Sequence, residues 1–202
     1  VHKAGESLWI GWPGYTEGTV PKNLTQQVND AMSAEGCKPV HLTDEDLDLY
    51  YYGFSNKTIW PLFHYFTEYT EYKKEYWEKY IEVNEKFADV VAANLNDGDR
   101  VWIHDYQLLL LPKMIKDRFP ECSIGFFLHI PFPSFEVFRI LPWRTELLEG
   151  ILGADLLGFH TYDYERHFFS SVLRLLGHEI NFNQINVNNR VVLADIFPMG
   201  ID

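Results

Sequence analysis

The sequence predicts an α/β domain, with a parallel sheet covered by helices on both faces. Two observations carry this. Short, nearly continuous apolar runs at residues 101–103, 124–128 and 156–159 have the character of strands buried on both sides. Helical stretches at 109–119, 143–150 and 161–176 alternate with them, and that alternation makes a parallel sheet. Length agrees: 202 residues with 47% apolar and 23% charged suit one ordinary globular domain, which rules out a disordered chain or a disulfide scaffold.

Taken in order, Leu8, Trp9 and Ile10 read as a strand ending in the turn-rich Gly11-Trp12-Pro13-Gly14. Residues 23–35 read as a helix stopped by Gly36, and 39–42 as a second strand. Thr43 is placed to cap a helix whose first turn carries Asp44, Glu45 and Asp46, acids favoured at the positive end of the helix dipole. Residues 50–66 are dense in aromatics and hold two breakers, Gly53 and Pro61, so 54–56 is expected to turn. The clearest helix is predicted over 69–95, where Tyr72, Tyr76, Tyr80, Val83, Phe87, Val90 and Val91 form one apolar stripe for the core. After the three strand–helix repeats, Gly177 ends the last helix, and 191–193 and 196–197 read as closing strands. Residues 198–202 read as a loop-like exit.

The chain is acidic, with a formal net charge of −12, and every arginine lies from Arg100 onward. Such a chain is a poor non-specific binder of nucleic acid or anionic membrane. Apolar runs such as 108–111 are too short to span a bilayer. The two cysteines, Cys37 and Cys122, are far apart and have no metal-ligand spacing; together with the lack of a signal peptide they point to a reduced, cytoplasmic protein.

The chemistry should gather where the apolar runs end. Each of the three stops at a histidine: His104 (followed by Asp105), His129 and His160. In an open parallel sheet ligands bind beyond the carboxyl ends of the strands, so these residues are expected at one edge. Any one of them taken singly reads more readily as a structural histidine. Zinc is disfavoured, because there is no HExxH and His160 and His167 are seven apart. A nucleotide loop is absent too: Pro13 interrupts 11–14, where GxGxxG or a P-loop needs backbone N–H donors, and no GxSxG is present. Tyr51, Tyr52 and Trp60 flank 54–56 and offer neutral donors on flat apolar bodies, suited to a sugar phosphate or to packing under the long helix.

Beyond this pattern, the chain resembles the trehalose-6-phosphate synthase family. The resemblance lies in residues 8–14 (LWIGWPG), 51–56 (YYGFSN), 59–65 (IWPLFHY), 101–106 (VWIHDY), 125–134 (GFFLHIPFPS), 138–142 (FRILP), 158–161 (GFHT) and 197–202 (FPMGID), which span the chain in the family's order. It implies a GT-B glycosyltransferase built from two Rossmann-like domains, with residues 1–202 forming the N-terminal, acceptor-binding one. It further implies transfer of glucose from UDP-glucose to glucose 6-phosphate, giving α,α-trehalose 6-phosphate with the donor anomer retained and without a metal or other cofactor. Carried over by residue, Tyr51 and Trp60 would contact the sugar phosphate, and Trp12 and Ile130 would line the acceptor pocket. Asp105 would bind acceptor hydroxyls and His129 would meet the transferred glucose; these two are the catalytic candidates. His104 and His160 receive no such role and are expected to be structural.

The family's first strand, its glycine loop with a phosphate-binding arginine, and its donor domain are not matched in these residues. The chain alone is therefore expected to be inactive. Phe135 stands where the family often has a small serine. Two other readings stay open: a non-catalytic module that senses sugar phosphate, and a transferase for another phosphorylated acceptor such as glycerol 3-phosphate. These residues do not tell UDP-glucose from ADP-glucose, because that choice lies in the donor domain.

Overall fold

The structure, a computed structural model, describes residues 7–199, so the end of the last matched motif, residues 200–202, lies outside the described residues. In chain order the elements are β1 (Trp9–Gly11), α1 (Lys22–Ala34), β2 (Cys37–Pro39), α2 (Asp44–Asp46), a π-helix (Leu47–Ile59), α3 (Trp60–Phe63) and a 3₁₀ turn (Thr67–Tyr69). Then follow α4 (Lys74–Asn94), β3 (Arg100–His104), a second 3₁₀ turn (Tyr106–Leu108), α5 (Leu111–Arg118), β4 (Ser123–Phe127), α6 (Phe135–Phe138), α7 (Arg144–Ile151), β5 (Leu156–Phe159) and α8 (Tyr162–Leu176). Three strands close the chain: β6 (Ile180–Asn181), β7 (Gln184–Val187) and β8 (Arg190–Ile196).

The main sheet has the order β3-β4-β5-β8-β7-β6. Its first four strands are parallel, as the alternating pattern predicts. Four consecutive residues of β4, Ile124 to Phe127, are buried, so both of its faces are covered. The sheet is nevertheless mixed. β6, β7 and β8 are antiparallel, joined by two-residue turns at Phe182-Asn183 and Asn188-Asn189. Phe182 and Asn188 take positive φ there, which asparagine tolerates well. The two closing strands expected at 191–193 and 196–197 are one strand, β8. β1 and β2 pair in parallel as a separate two-stranded sheet, extended by a bridge between Thr16 and Leu42.

The largest departure is at 44–63. The expected turn at 54–56 does not exist; these residues lie inside the π-helix. Burial explains the choice. Within the π-helix Tyr50, Gly53, Phe54, Ser55, Thr58 and Ile59 are buried, and they pair five residues apart as Tyr50 with Ser55, Gly53 with Thr58 and Phe54 with Ile59, which fits i→i+5 hydrogen bonding rather than the 3.6-residue α period. The two breakers do not break it. A Cβ on Gly53 would come within 2.8 Å of the Tyr76 ring, so glycine allows α4 to lie close. Pro61 falls in the first turn of α3, where proline is tolerated. Thr43 caps the segment as expected: its Oγ1 accepts from Asp46 N at 3.1 Å, and Asp46 Oδ2 accepts from Thr43 N at 2.9 Å. Asp46 is 1% exposed and paired to Lys86 at 2.5 Å and Lys79 at 3.3 Å, both on α4. Burial pushes its carboxyl up, but the Lys86 ammonium and the Thr43 N–H outweigh this and hold it below the usual carboxylate range.

α4 begins five residues later than the stripe suggests. Tyr72 stays 38% exposed ahead of it, and Val90 is half-buried, while Tyr76, Tyr80, Val83, Phe87 and Val91 do enter the core. Much of the aromatic content is core as well. Phe54 packs on Tyr80 and Trp77, and Phe132 on Phe63, Phe138 and Phe168. Phe135, at the start of α6, lies between the guanidiniums of Arg139 and Arg174.

Candidate active site

Strand register brings the three histidines together. His104 pairs with Phe127, and Phe127 pairs with Gly158. His129 and His160 each lie two residues further along. Gly158 matters here: a Cβ on it would stand 2.4 Å from the Phe127 ring. Its absence lets that ring pack against both His129, at 4.6 Å, and His160, at 5.1 Å between centroids. The His129 ring is 5.2 Å from His104 and 5.7 Å from His160. His104 Nδ1 and His129 Nε2 are hydrogen-bonded at 2.9 Å. Burial and the neighbouring His129 push the His104 imidazole below its ordinary pKa, against the pull of Asp105. Among the described residues no three His, Cys, Asp or Glu side chains are grouped to hold a metal ion.

Asp105 follows β3 with φ 73°, a left-handed conformation that is strained for a residue with a Cβ. Its Oδ1 accepts from its neighbour Tyr106 N at 3.0 Å and from His129 N at 3.2 Å, tying the ends of β3 and β4 together. Among the described residues its Oδ2 has no hydrogen-bond partner. The turn after it is gripped from below by three buried side chains. Tyr80 Oη donates to Tyr106 O at 2.8 Å and accepts from Leu109 N at 2.9 Å. Tyr50 Oη, at 3.1 Å, and Asn84 Nδ2, at 3.2 Å, donate to Gln107 O. Burial, reinforced by neighbouring phenols, pushes Tyr50 and Tyr80 far above the ordinary phenol range, so both remain donors. Tyr106 is pushed up to about 12 by burial and the Asp105 charge, and its Oη donates to Asn56 Oδ1 at 3.0 Å.

A cavity of about 160 Å³ opens beside this turn, lined by residues including Trp12, Tyr51, His104 and Gln107. Trp12 is held by its Nε1, which donates to Tyr15 O at 2.8 Å, and its ring lies 6.4 Å from Tyr51. Trp60 does not line this cavity. It stacks on His64 at 4.1 Å and borders a second hollow of about 300 Å³ with Asn56, Lys57, Pro61, Phe66 and Tyr69. Trp60, the first residue of α3, follows the π-helix that carries Tyr51, and the two border different hollows. Ile130 is 8% exposed and packs in the core, and it lines neither hollow. His104, which the resemblance leaves without a role, lines the cavity and touches His129. Of these three the sequence singles out only Tyr80, as core; the polar work it shares with Tyr50 and Asn84 has no signal beyond their hydroxyls and amide.

Fold and site together define a Rossmann-like α/β domain that presents a carboxylate and imidazoles beyond the carboxyl ends of its strands. The whole chain, residues 1–202, matches the model of glycosyltransferase family 20, and it belongs to that family. It is 45% identical over 208 residues to the UDP-forming α,α-trehalose-phosphate synthase of Candida albicans, covering 100% of this chain and 43% of that protein. A solved structure described as "Trehalose-6-phosphate from E. coli bound with UDP-2-fluoro glucose" superposes with a TM-score of 0.86 at 33% identity, over 100% of this chain and 44% of that one. The UDP-forming α,α-trehalose-phosphate synthase of Burkholderia xenovorans, in complex with glucose-6-phosphate, superposes with a TM-score of 0.81 at 28% identity, over 97% and 44%. The chain thus spans less than half the length of these relatives, which are synthases of the GT-B type.

Proposed function

We propose that this chain is the acceptor-binding domain of a retaining glucosyltransferase, which moves glucose from UDP-glucose to the anomeric hydroxyl of glucose 6-phosphate and forms α,α-trehalose 6-phosphate. The observation that carries this is Asp105. Its strained backbone and its locked Oδ1 hold a carboxylate at the strand end with Oδ2 free to accept a hydroxyl, next to the His104–His129 pair and the Trp12–Tyr51 cavity. The acceptor ring lies against Trp12 and Tyr51, and Asp105 orients its hydroxyls. Tyr51, in the π-helix, and Trp60, directly after it, give neutral donors towards the phosphate. His129 meets the transferred glucose. The relatives are more than twice as long as this chain, which supports a donor domain outside these residues as the place where the leaving diphosphate is met. The two thiols, Cys37 and Cys122, are free, which suits a reducing cytoplasm. Among the described residues no helix is long and apolar enough to cross a membrane.

Stabilising the leaving group's charge is a dominant catalytic term. The 202-residue chain supplied with UDP-glucose and glucose 6-phosphate is therefore expected to form no trehalose 6-phosphate, whereas the enzyme combining it with a donor domain forms it. Product from the chain alone would place the diphosphate site within these residues. Product from the longer enzyme only with glycerol 3-phosphate would replace the acceptor.

A further inference from the structure

We infer that His104 is a positioning residue for His129: its bare Nδ1 accepts the Nε2–H of His129, so that His129 meets the sugar through Nδ1 alone and in one fixed tautomer. The part concerning the sugar rests on the function proposed above. The geometry is direct. The two nitrogens are 2.9 Å apart, and the rings lie at 26° to each other with centroids 5.2 Å apart. His104 is itself held in place, with its ring stacked on Trp9 at 6.3 Å and edge-on to Trp102 at 6.1 Å. An imidazole has two nitrogens, and His129 spends one of them on His104. Its backbone N–H is spent on Asp105. Only Nδ1 remains to face a ligand.

The direction of the bond follows from tautomer preference. A neutral imidazole side chain in water favours the proton on Nε2. With both rings in that form, His129 donates and His104 Nδ1 is the acceptor, so neither ring is forced into its less stable tautomer. Burial and His129 disfavour a proton added to His104, which keeps that acceptor available. His129 Nδ1 then accepts a hydrogen bond from a glucose hydroxyl instead of donating one. This is the orienting role that a fixed second partner gives to many functional histidines.

The test is nitrogen NMR of the chain with ¹⁵N-labelled histidine at pH 8. Expected for His129 are a protonated Nε2 and a bare Nδ1. This pattern should persist in His104→Asn, whose side-chain oxygen lies near the lost Nδ1. It should collapse to tautomer averaging in His104→Phe, which keeps the ring but has no acceptor. A protonated Nδ1 in the unsubstituted chain, or an unchanged pattern in His104→Phe, overturns the inference; if the Phe variant does not fold, the unsubstituted chain and the Asn variant decide. In the enzyme with its donor domain, His104→Phe should lower kcat about ten- to a hundredfold with KM for glucose 6-phosphate unchanged, and His104→Asn should recover most of the loss. Equal loss in both variants, or none, overturns the positioning role. An enzyme that transfers no glucose at all overturns the proposed function instead, while the nitrogen shifts still decide the histidine pair.

Discussion

An enzyme that joins this chain to a donor domain and carries His129→Ala should turn over about a hundredfold more slowly or worse, with its KM for glucose 6-phosphate almost unchanged. His129 stands at the end of β4, bonded to His104 and packed on Phe127, so its orientation is set before substrate arrives. An interaction that strengthens only as the donor bond breaks appears in kcat, whereas one made equally to bound substrate appears in KM. The proposed acceptor contacts, Asp105, Trp12 and Tyr51, remain in the variant. Steady-state kinetics over both substrates checks this. A variant with normal kcat and weakened acceptor binding would move His129 to the acceptor side.

Tyr80→Phe is expected to cost about 2–6 kcal/mol of stability, from two buried partners left unsatisfied at about 1–3 kcal/mol each. Tyr80 is fully buried, and its hydroxyl satisfies both Tyr106 O and Leu109 N. Removing one oxygen orphans a carbonyl and an N–H in the turn that begins at Asp105. Activity should therefore fall along with stability, although Tyr80 touches no substrate. Tyr76→Phe is the control. Its hydroxyl meets Lys73 and Glu71, both about half-exposed, so its loss should cost under about 1 kcal/mol. Urea unfolding of the two variants decides the matter: equal and small costs would mean that the turn is held by other means.

The sequence announced the site's frame more clearly than its walls. Three apolar runs ending at His104, His129 and His160 were enough to predict one sheet edge, because parallel pairing in register leaves such residues little choice of place. Thr43 and Gly177 marked their helix ends through capping chemistry that is local in the chain. The π-helix was not legible by the same means. Its buried positions pair five residues apart, a spacing that matches neither strand nor α-helix, and Gly53 and Pro61 imitate a turn. The antiparallel hairpins have a signal in Asn188-Asn189 between Val187 and Arg190, but the helix–strand alternation before them favours a wholly parallel sheet. Ile130 stands next to His129 in the chain, but it lies in a bend past the end of β4 and its side chain joins the core.

The account rests most heavily on Trp12, Tyr51, Trp60 and Asp105 forming one acceptor site. Titration of the chain with glucose 6-phosphate, followed by ¹H–¹⁵N NMR with glucose and inorganic phosphate as controls, tests this directly. The expected binding is weak, with a Kd of about a millimolar or above, because no Lys or Arg lines the Trp12–Tyr51 cavity among the described residues. The Trp12 and Trp60 indoles and the amides of Tyr51 and Asp105 should shift together, and more with glucose 6-phosphate than with either control. Shifts confined to other parts of the chain, or equal shifts with all three compounds, would contradict the account.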